Sequence, residues 1–255
     1  MEKPLIFITN DDGYEARGFN TLIDIALKFG RVVAVAPERV QSGMGHAVTM
    51  ANPLHLRKVR EEEDLVVYAC SGTPVDCVKL AFDMIMPELP ALGLSGINHG
   101  ANSATSVIYS GTMGAAIEAS FYNIPSIGFS LTDHDPTADL TAAAEYAERV
   151  IYRVMHEEVE IPMCLNVNIP TLPKDEIKGV RFCRQAKGYW REEFVERHDP
   201  RGRPYYWLTG IFMNQEEEST ETDEYALKNG YVSIVPIQID MTDYRQLDTV
   251  SLWDF

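Results

Sequence analysis

Zinc-type cysteine spacing is missing from this sequence, whose four cysteines, Cys70, Cys77, Cys164 and Cys183, lie scattered along the chain. They are also too sparse for a disulfide framework, so buried free thiols are expected and no function is assigned to them. Positive charge is scarce: 22 Lys and Arg stand against 38 Asp and Glu, a formal net charge of -16. That balance argues against the phosphate backbone of DNA or RNA as a partner, because such binding rests on clustered basic residues. A small phosphorylated substrate remains compatible, since a bound divalent cation reverses the field a ligand meets locally. No apolar run approaches the roughly 20 residues that span a bilayer. The opening residues show no basic segment followed by an apolar core and a small-residue cleavage site, because Leu5 to Ile8 is short and runs directly into acids. A cytoplasmic protein without membrane contact is therefore expected. Internal repeats and low-complexity stretches are absent too.

What is present is alternation of apolar runs with helical periodicity, in a chain of 255 residues, enough for one substantial core and an appendage. Leu5 to Thr9 is rich in β-branched and aromatic residues and reads as a buried strand that ends in Asn10, Asp11, Asp12 and Gly13. Phe19, Leu22, Ile23, Ala26 and Leu27 recur at helical spacing, with Gly30 where a C-terminal cap belongs. Residues 31–36 form a second strand, stopped by Pro37. Residues 47–70 break the rhythm: Ala47 to Met50, Leu54 to Val59 and Leu65 to Cys70 read as short strands of an inserted β-hairpin or edge meander. Thr73-Pro74-Val75-Asp76 is a helix start with a capping box, and the helix is predicted to reach about Met86. Further strands are expected at 91–98, 126–131 and 164–169, with helices opening at Ser110-Gly111-Thr112 and at Pro136. The order predicts an α/β fold, a doubly wound and mostly parallel sheet over residues 1–170. From 171 to 255 the texture changes to a β-rich extension, with strands at 180–184, 204–213 and 231–240 and a short helix capped by Thr222.

In such a sheet the ligand lies at the carboxyl ends of the strands, where the strand order switches. Three loops then converge, carrying Asp11 and Asp12, then Ser42, then Asn98. An all-oxygen set with carboxylates suits Mg²⁺, Mn²⁺ or Ca²⁺ rather than zinc. Taken singly, each has a plainer reading: Asp-Asp-Gly as a polar turn, Ser42 as a turn hydroxyl, Asn98 as a bond to its own loop. His46 and His99 sit in the same loops, but a lone loop histidine without a partner is not assigned. Free N–H groups at the helix start Ser110-Gly111-Thr112, with two hydroxyls, would hold an anion, and phosphate is the natural anion beside a metal.

Thr9-Asn10-Asp11-Asp12-Gly13, the Ala36-Pro37-Glu38-Arg39 and Ser42-Gly43 loop, Gly72 to Val78, Ser95-Gly96-Ile97-Asn98 with Gly100 and Asn102, and Tyr109-Ser110-Gly111-Thr112 together resemble the stationary-phase survival protein E (SurE) family. The likeness continues through Asn166 to Pro170, Asp199 to Gly202 and Gly230 to Ile234, and so covers nearly the whole chain. The resemblance implies a divalent-metal-dependent phosphatase of nucleoside 5′- and 3′-monophosphates, with short polyphosphate as a further substrate. It implies Asp11, Asp12, Ser42 and Asn98 as ligands of one Mg²⁺ or Mn²⁺ per subunit, and Gly43, Gly96, Asn102, Ser110, Gly111 and Thr112 as phosphate and substrate contacts. It also implies a homodimer or homotetramer built through the C-terminal region. One departure stands out: Ser103-Ala104-Thr105-Ser106 replaces the Leu-Gly and acidic residues usual after Asn102.

The expected chemistry is attack of water on phosphorus, with Asp11 or Asp12 taking the proton and Asn98 and loop N–H groups holding non-bridging oxygens. A covalent route through Asp11 is the nearest alternative. It is disfavoured because Gly13 occupies the position, two residues on, where aspartyl-phosphate enzymes place a second acid. A non-catalytic nucleotide- or metal-binding protein is the alternative of a different class.

Overall fold

The apolar runs become strands of a single nine-stranded sheet in the computed structural model, which describes residues 3–254. The chain opens with β1 (Leu5–Thr9), α1 (Arg17–Ala26) and β2 (Arg31–Pro37), followed by β3 (Leu56–Glu62), β4 (Leu65–Cys70) and α2 (Pro74–Leu80). Next come β5 (Leu92–His99), α3 (Ser106–Tyr109), α4 (Gly111–Ser120), β6 (Ser126–Leu131), α5 (Thr141–His156) and β7 (Cys164–Ile169). The remainder holds β8 (Val180–Phe182), β9 (Gly188–His198), β10 (Pro204–Asn214), α6 (Asp223–Lys228), β11 (Val232–Pro236) and α7 (Tyr244–Val250). Among the described residues no helix is long and apolar enough to cross a membrane.

Strands β4-β2-β1-β5-β6-β7 run parallel. Beside β4 lies antiparallel β3, and beside β7 antiparallel β11, which in turn carries β8. β1 is buried along its whole length, as a central parallel strand covered on both faces must be. Its alternate residues divide between two cores: Ile6 and Ile8 pack with Phe19 and Leu22 of α1, while Leu5 and Phe7 pack with Val78 of α2 and Ala115 of α4. From β1 the chain proceeds outward through β2 to β4, then returns to build β5 on the opposite side of β1. The loops after β1 and β5 therefore part from one another and leave a crevice at this switch point.

The stretch 47–70 differs from expectation in two respects. Ala47 to Met50 forms no strand; its backbone is satisfied instead by α2, the Thr73 hydroxyl donating to the Ala47 carbonyl (2.7 Å) and Asp76 Oδ1 accepting the Thr49 N–H (3.0 Å). β3 and β4 do pair as a hairpin, but β4 is also a full member of the parallel sheet, because Leu65 and Val67 supply the core beside β2. The helix opened by Thr73 has its capping box, yet regular α-helix stops at Leu80 and continues as a π-helical turn over Ala81–Ile85. The Pro136 segment starts with turns held by Asp135 and Asp139, and α5 itself begins at Thr141. β9 is a strand absent from the sequence reading. It pairs only with β10, in a two-stranded ribbon apart from the main sheet, so no buried face imposes an apolar rhythm on it.

Candidate active site

The tip of β1 is closed by Asn10, whose Nδ2 donates to the Gly13 carbonyl (2.9 Å) and whose Oδ1 accepts the Gly13 N–H (3.2 Å). Gly13 turns the chain at φ 99°, a conformation that side chains resist. The two acids are held inside this turn. Asp11 is only 3% exposed, and its Oδ1 accepts the Thr112 hydroxyl at 2.6 Å. Burial raises its carboxyl to about 6, against the pull of the Thr112 bond, and the Asp12 charge adds to the rise. Burial also raises Asp12, opposed by the His99 N–H that donates to its Oδ2 at 3.4 Å. Among the described residues no basic side chain acts on either carboxylate.

A buried carboxylate with a second, half-buried one beside it and no countercharge is costly in a folded chain. A divalent cation would remove that cost, and the neighbouring donors suit one. Asn98, at the end of β5, donates its Nδ2 to the Gly100 carbonyl at 2.7 Å, which leaves Oδ1 as the acceptor atom. The loop after β2 is drawn to the same place, since the Gln41 N–H donates to the Asp11 carbonyl at 2.7 Å; Ser42 and Gly43 follow. A cavity of about 520 Å³ is lined by Asp11, Ser42, Gly43, Asn98, Asn102 and Ser110, together with His99, Tyr109, His134 and Trp190. Of the four residues expected to hold a cation, Asp11, Ser42 and Asn98 line this cavity and Asp12 does not; the donors these side chains offer are oxygens, the kind a hard cation such as Mg²⁺ or Mn²⁺ takes.

Several residues expected to touch phosphate hold the site instead. Thr112 is fully buried with its hydroxyl committed to Asp11. Gly111 leaves room for the same carboxylate, for a Cβ there would come within 2.8 Å of Asp11 Cβ and 3.1 Å of its Oδ2. Gly96 lies inside β5, where a Cβ would meet the Phe129 carbonyl at 2.4 Å, and it does not line the cavity. Ser110 does line the cavity, while its Oγ caps α4 by accepting the Met113 N–H (3.0 Å). Asn102 reaches the cavity from a knot of amides: its N–H donates to Asn168 Oδ1, its Nδ2 to Ser130 Oγ, and its carbonyl accepts from Asn166 Nδ2, all at 2.7 to 2.8 Å.

The departing loop 103–106 is joined to the C-terminal region. The Ser103 hydroxyl donates to Glu224 (2.5 Å), the Ala104 N–H to Asp223 (2.8 Å), and Ser106 Oγ accepts the Trp190 indole N–H (3.3 Å). Trp190 of β9 and Leu208, Thr209 and Gly210 of β10 consequently form one wall of the cavity. His99 and His134 line it as well, and burial, followed by the Arg17 charge, holds the His99 imidazole below its usual range. No local motif announces Trp190 or His134 as site residues, because only chain folding brings them there.

The fold and this cavity define a doubly wound α/β domain with a cavity that offers oxygen donors beside a helix N-terminus, at the switch point of its sheet. The chain belongs to the survival protein SurE family, whose model matches residues 6–192. Members are in general dependent on a divalent metal. It is 48% identical over 255 residues to the 5′-nucleotidase SurE of Flavobacterium psychrophilum, covering 100% of this chain and 99% of that protein. The 5′-nucleotidase SurE of Chlorobaculum tepidum is 41% identical over 252 residues, 99% of this chain and 95% of that one. In fold it is similar to the crystal structure of the SurE protein from Aquifex aeolicus, with TM-score 0.83 and 37% identity over 97% of this chain and 98% of that one.

Proposed function

We propose that this protein is a divalent-metal-dependent 5′-nucleotidase that hydrolyses nucleoside 5′-monophosphates, with 3′-monophosphates and short polyphosphate as further substrates. The observation that carries the reading is the buried Asp11, which lines a cavity with Ser42 and Asn98 and has the half-buried Asp12 beside it, with no basic side chain acting on either carboxylate among the described residues. The full-length relatives named 5′-nucleotidase SurE support it. Asp11, Asp12, Ser42 and Asn98 would hold the cation, Mg²⁺ or Mn²⁺. When bound, it supplies positive charge against the phosphoryl oxygens. Asp11, which lines the cavity, or Asp12 beside it takes a proton from the attacking water, and the Gly43 backbone and Ser110 offer hydrogen bonds to non-bridging oxygens. Water adds to phosphorus as the ester P–O bond breaks, and the nucleoside hydroxyl leaves with a proton.

The test is phosphate release from a panel of nucleoside monophosphates, ribose 5-phosphate and tripolyphosphate, with Mn²⁺, Mg²⁺ or chelator. Metal-dependent release from 5′-monophosphates is expected, and Asp12→Asn should lower kcat by roughly 10²- to 10⁴-fold, the usual worth of a general base. Failure of every substrate with either metal would remove the enzyme reading; trapping of a phosphorylated Asp11 would replace water attack by the covalent route.

The C-terminal region is the proposed oligomerisation arm. Phe194, Tyr206, Trp207, Leu208 and Ile211 of the β9–β10 ribbon are each more than half exposed, an apolar surface of the kind that a second copy covers. Light scattering should give a dimer or tetramer for the full chain and a smaller species once residues 192–208 are replaced by a short turn.

A further inference from the structure

Ser42 lies in a span tied down at both ends. On one side the Gln41 N–H bonds the Asp11 carbonyl, and on the other the Gly45 N–H donates to the Tyr109 carbonyl at 2.9 Å. Gly45 rests so closely on α4 that a Cβ on Gly114 would come 2.4 Å from the Gly45 carbonyl oxygen. His46 completes the attachment: its Nε2 bonds Oε2 of Glu118 at 2.7 Å, and its ring stacks on Phe121 with centroids 5.7 Å apart.

Glu118 is unusual for its place. Its side chain is 4% exposed in the last turn of α4, and the other carboxylate oxygen accepts from Lys79 of α2 at 2.5 Å. Burial pushes this carboxyl up, but the bonds from His46 and Lys79 outweigh burial and hold it below its usual range. A charged group kept ionised inside a helix packing surface needs its partners, and here they come from the loop that carries His46 and from α2. The same helix holds Asp11 through Thr112 in its first turn. One rigid rod, about two turns long between Thr112 and Glu118, therefore fixes one carboxylate at its start and the Ser42 loop further along.

We propose that Glu118, acting through His46, is a positioning residue that holds Ser42 at the cation site. This rests on Ser42 being a metal ligand, as proposed above. Partners behind metal ligands typically govern affinity by roughly 10- to 100-fold, because a free loop must lose its conformational freedom each time the ion binds.

The test is Mn²⁺ binding to the full-length protein without substrate, followed by the loss of the free-ion electron paramagnetic resonance signal, for wild type, Ser42→Ala, His46→Ala, His46→Gln, Glu118→Gln and the Ser42→Ala/His46→Ala double variant. His46→Ala should bind Mn²⁺ roughly 10-fold more weakly, and His46→Gln, which keeps a donor, should recover most of the affinity. Once Ser42 is already lost, removal of His46 should cost nothing more, the non-additivity expected of a residue acting through another. His46 is 36% exposed and Lys79 still pairs Glu118 in its absence, so the His46 variants keep the test open even if Glu118→Gln fails to fold. Wild-type affinity in His46→Ala, or a full additional loss in the double variant, overturns the proposal. Unchanged affinity in Ser42→Ala removes the ligand assignment itself, and with it this inference, a result distinct from failure of His46 alone.

Discussion

The hydroxyl of Thr112 donates to Oδ1 of Asp11 at 2.6 Å, so the helix start that looks made for a phosphate has an occupant within the chain itself. The first turn of α4 faces a carboxylate, and the positive end of the helix bears on the charge that would meet the cation. Ser110 and Gly43 remain on the cavity wall beside it.

Removal of that donor should act through protons. The Thr112 bond favours the charged form of Asp11, so Thr112→Val should raise a carboxyl already at about 6. Protons then compete better with the metal. Mn²⁺ affinity measured by calorimetry is expected to fall roughly 10-fold at pH 6 and by much less at pH 8; an equal loss at both would show that the hydroxyl acts by another route.

Asp11 should cost the metal-free fold stability. Its folded value of about 6 lies above the ordinary 3.8, so between those values the folded chain binds more protons than the unfolded one. Stability therefore falls as pH rises through that window and stays low above it. In chelator at pH 7.5, Asp11→Asn should be more stable than wild type by up to about 3 kcal/mol, with the gap closing near pH 4. Urea titrations read this directly, and added Mn²⁺ should narrow the gap by stabilising the wild type alone.

Gly111→Ala should disable the site at a cost to the fold. The new methyl would lie 2.8 Å from Asp11 Cβ, an atom fixed to the backbone, so the contact is relieved only by a shift of the β1 tip or of α4. Thermal unfolding should fall by several degrees, and Mn²⁺ binding should fall below detection at millimolar metal. Retained binding would mean that Asp11 is not a ligand.

Trp190 offers an aromatic wall fixed by Ser106 on one side and by Phe212, ring centroids 5.8 Å apart, on the other. If the base of the nucleotide stacks there, Trp190→Ala should raise KM for a nucleoside monophosphate roughly 10-fold, within the range of one base-aromatic stack. KM for ribose 5-phosphate, which has no base, should not move. Parallel rises for both substrates would assign Trp190 a structural role only.

Much of the core was legible without coordinates because burial writes itself into local pattern. Residues 5–9 read as a strand since both faces of β1 are covered, and Thr73 to Asp76 read as a capped helix since the cap is made by neighbours three residues apart. Residues 47–50 and 188–198 were misread or missed for the opposite reason. The first is held by side chains of α2 and the second pairs only with β10, so neither carries the periodicity of a buried face.

At the site the same division holds. Sequence alone brought Asp11, Asp12, Ser42 and Asn98 together, because a parallel sheet puts the ends of its strands on one side and each of these follows a strand. Tertiary structure alone decided what the neighbouring residues do. Thr112 turned from a phosphate contact into the partner of Asp11, Gly96 became a close backbone passage, and His46 became the link between the Ser42 loop and Glu118. The bonds of His46 and Thr112 join atoms within 3 Å of one another across 72 and 101 residues of chain, and no spacing along the sequence encodes such distances.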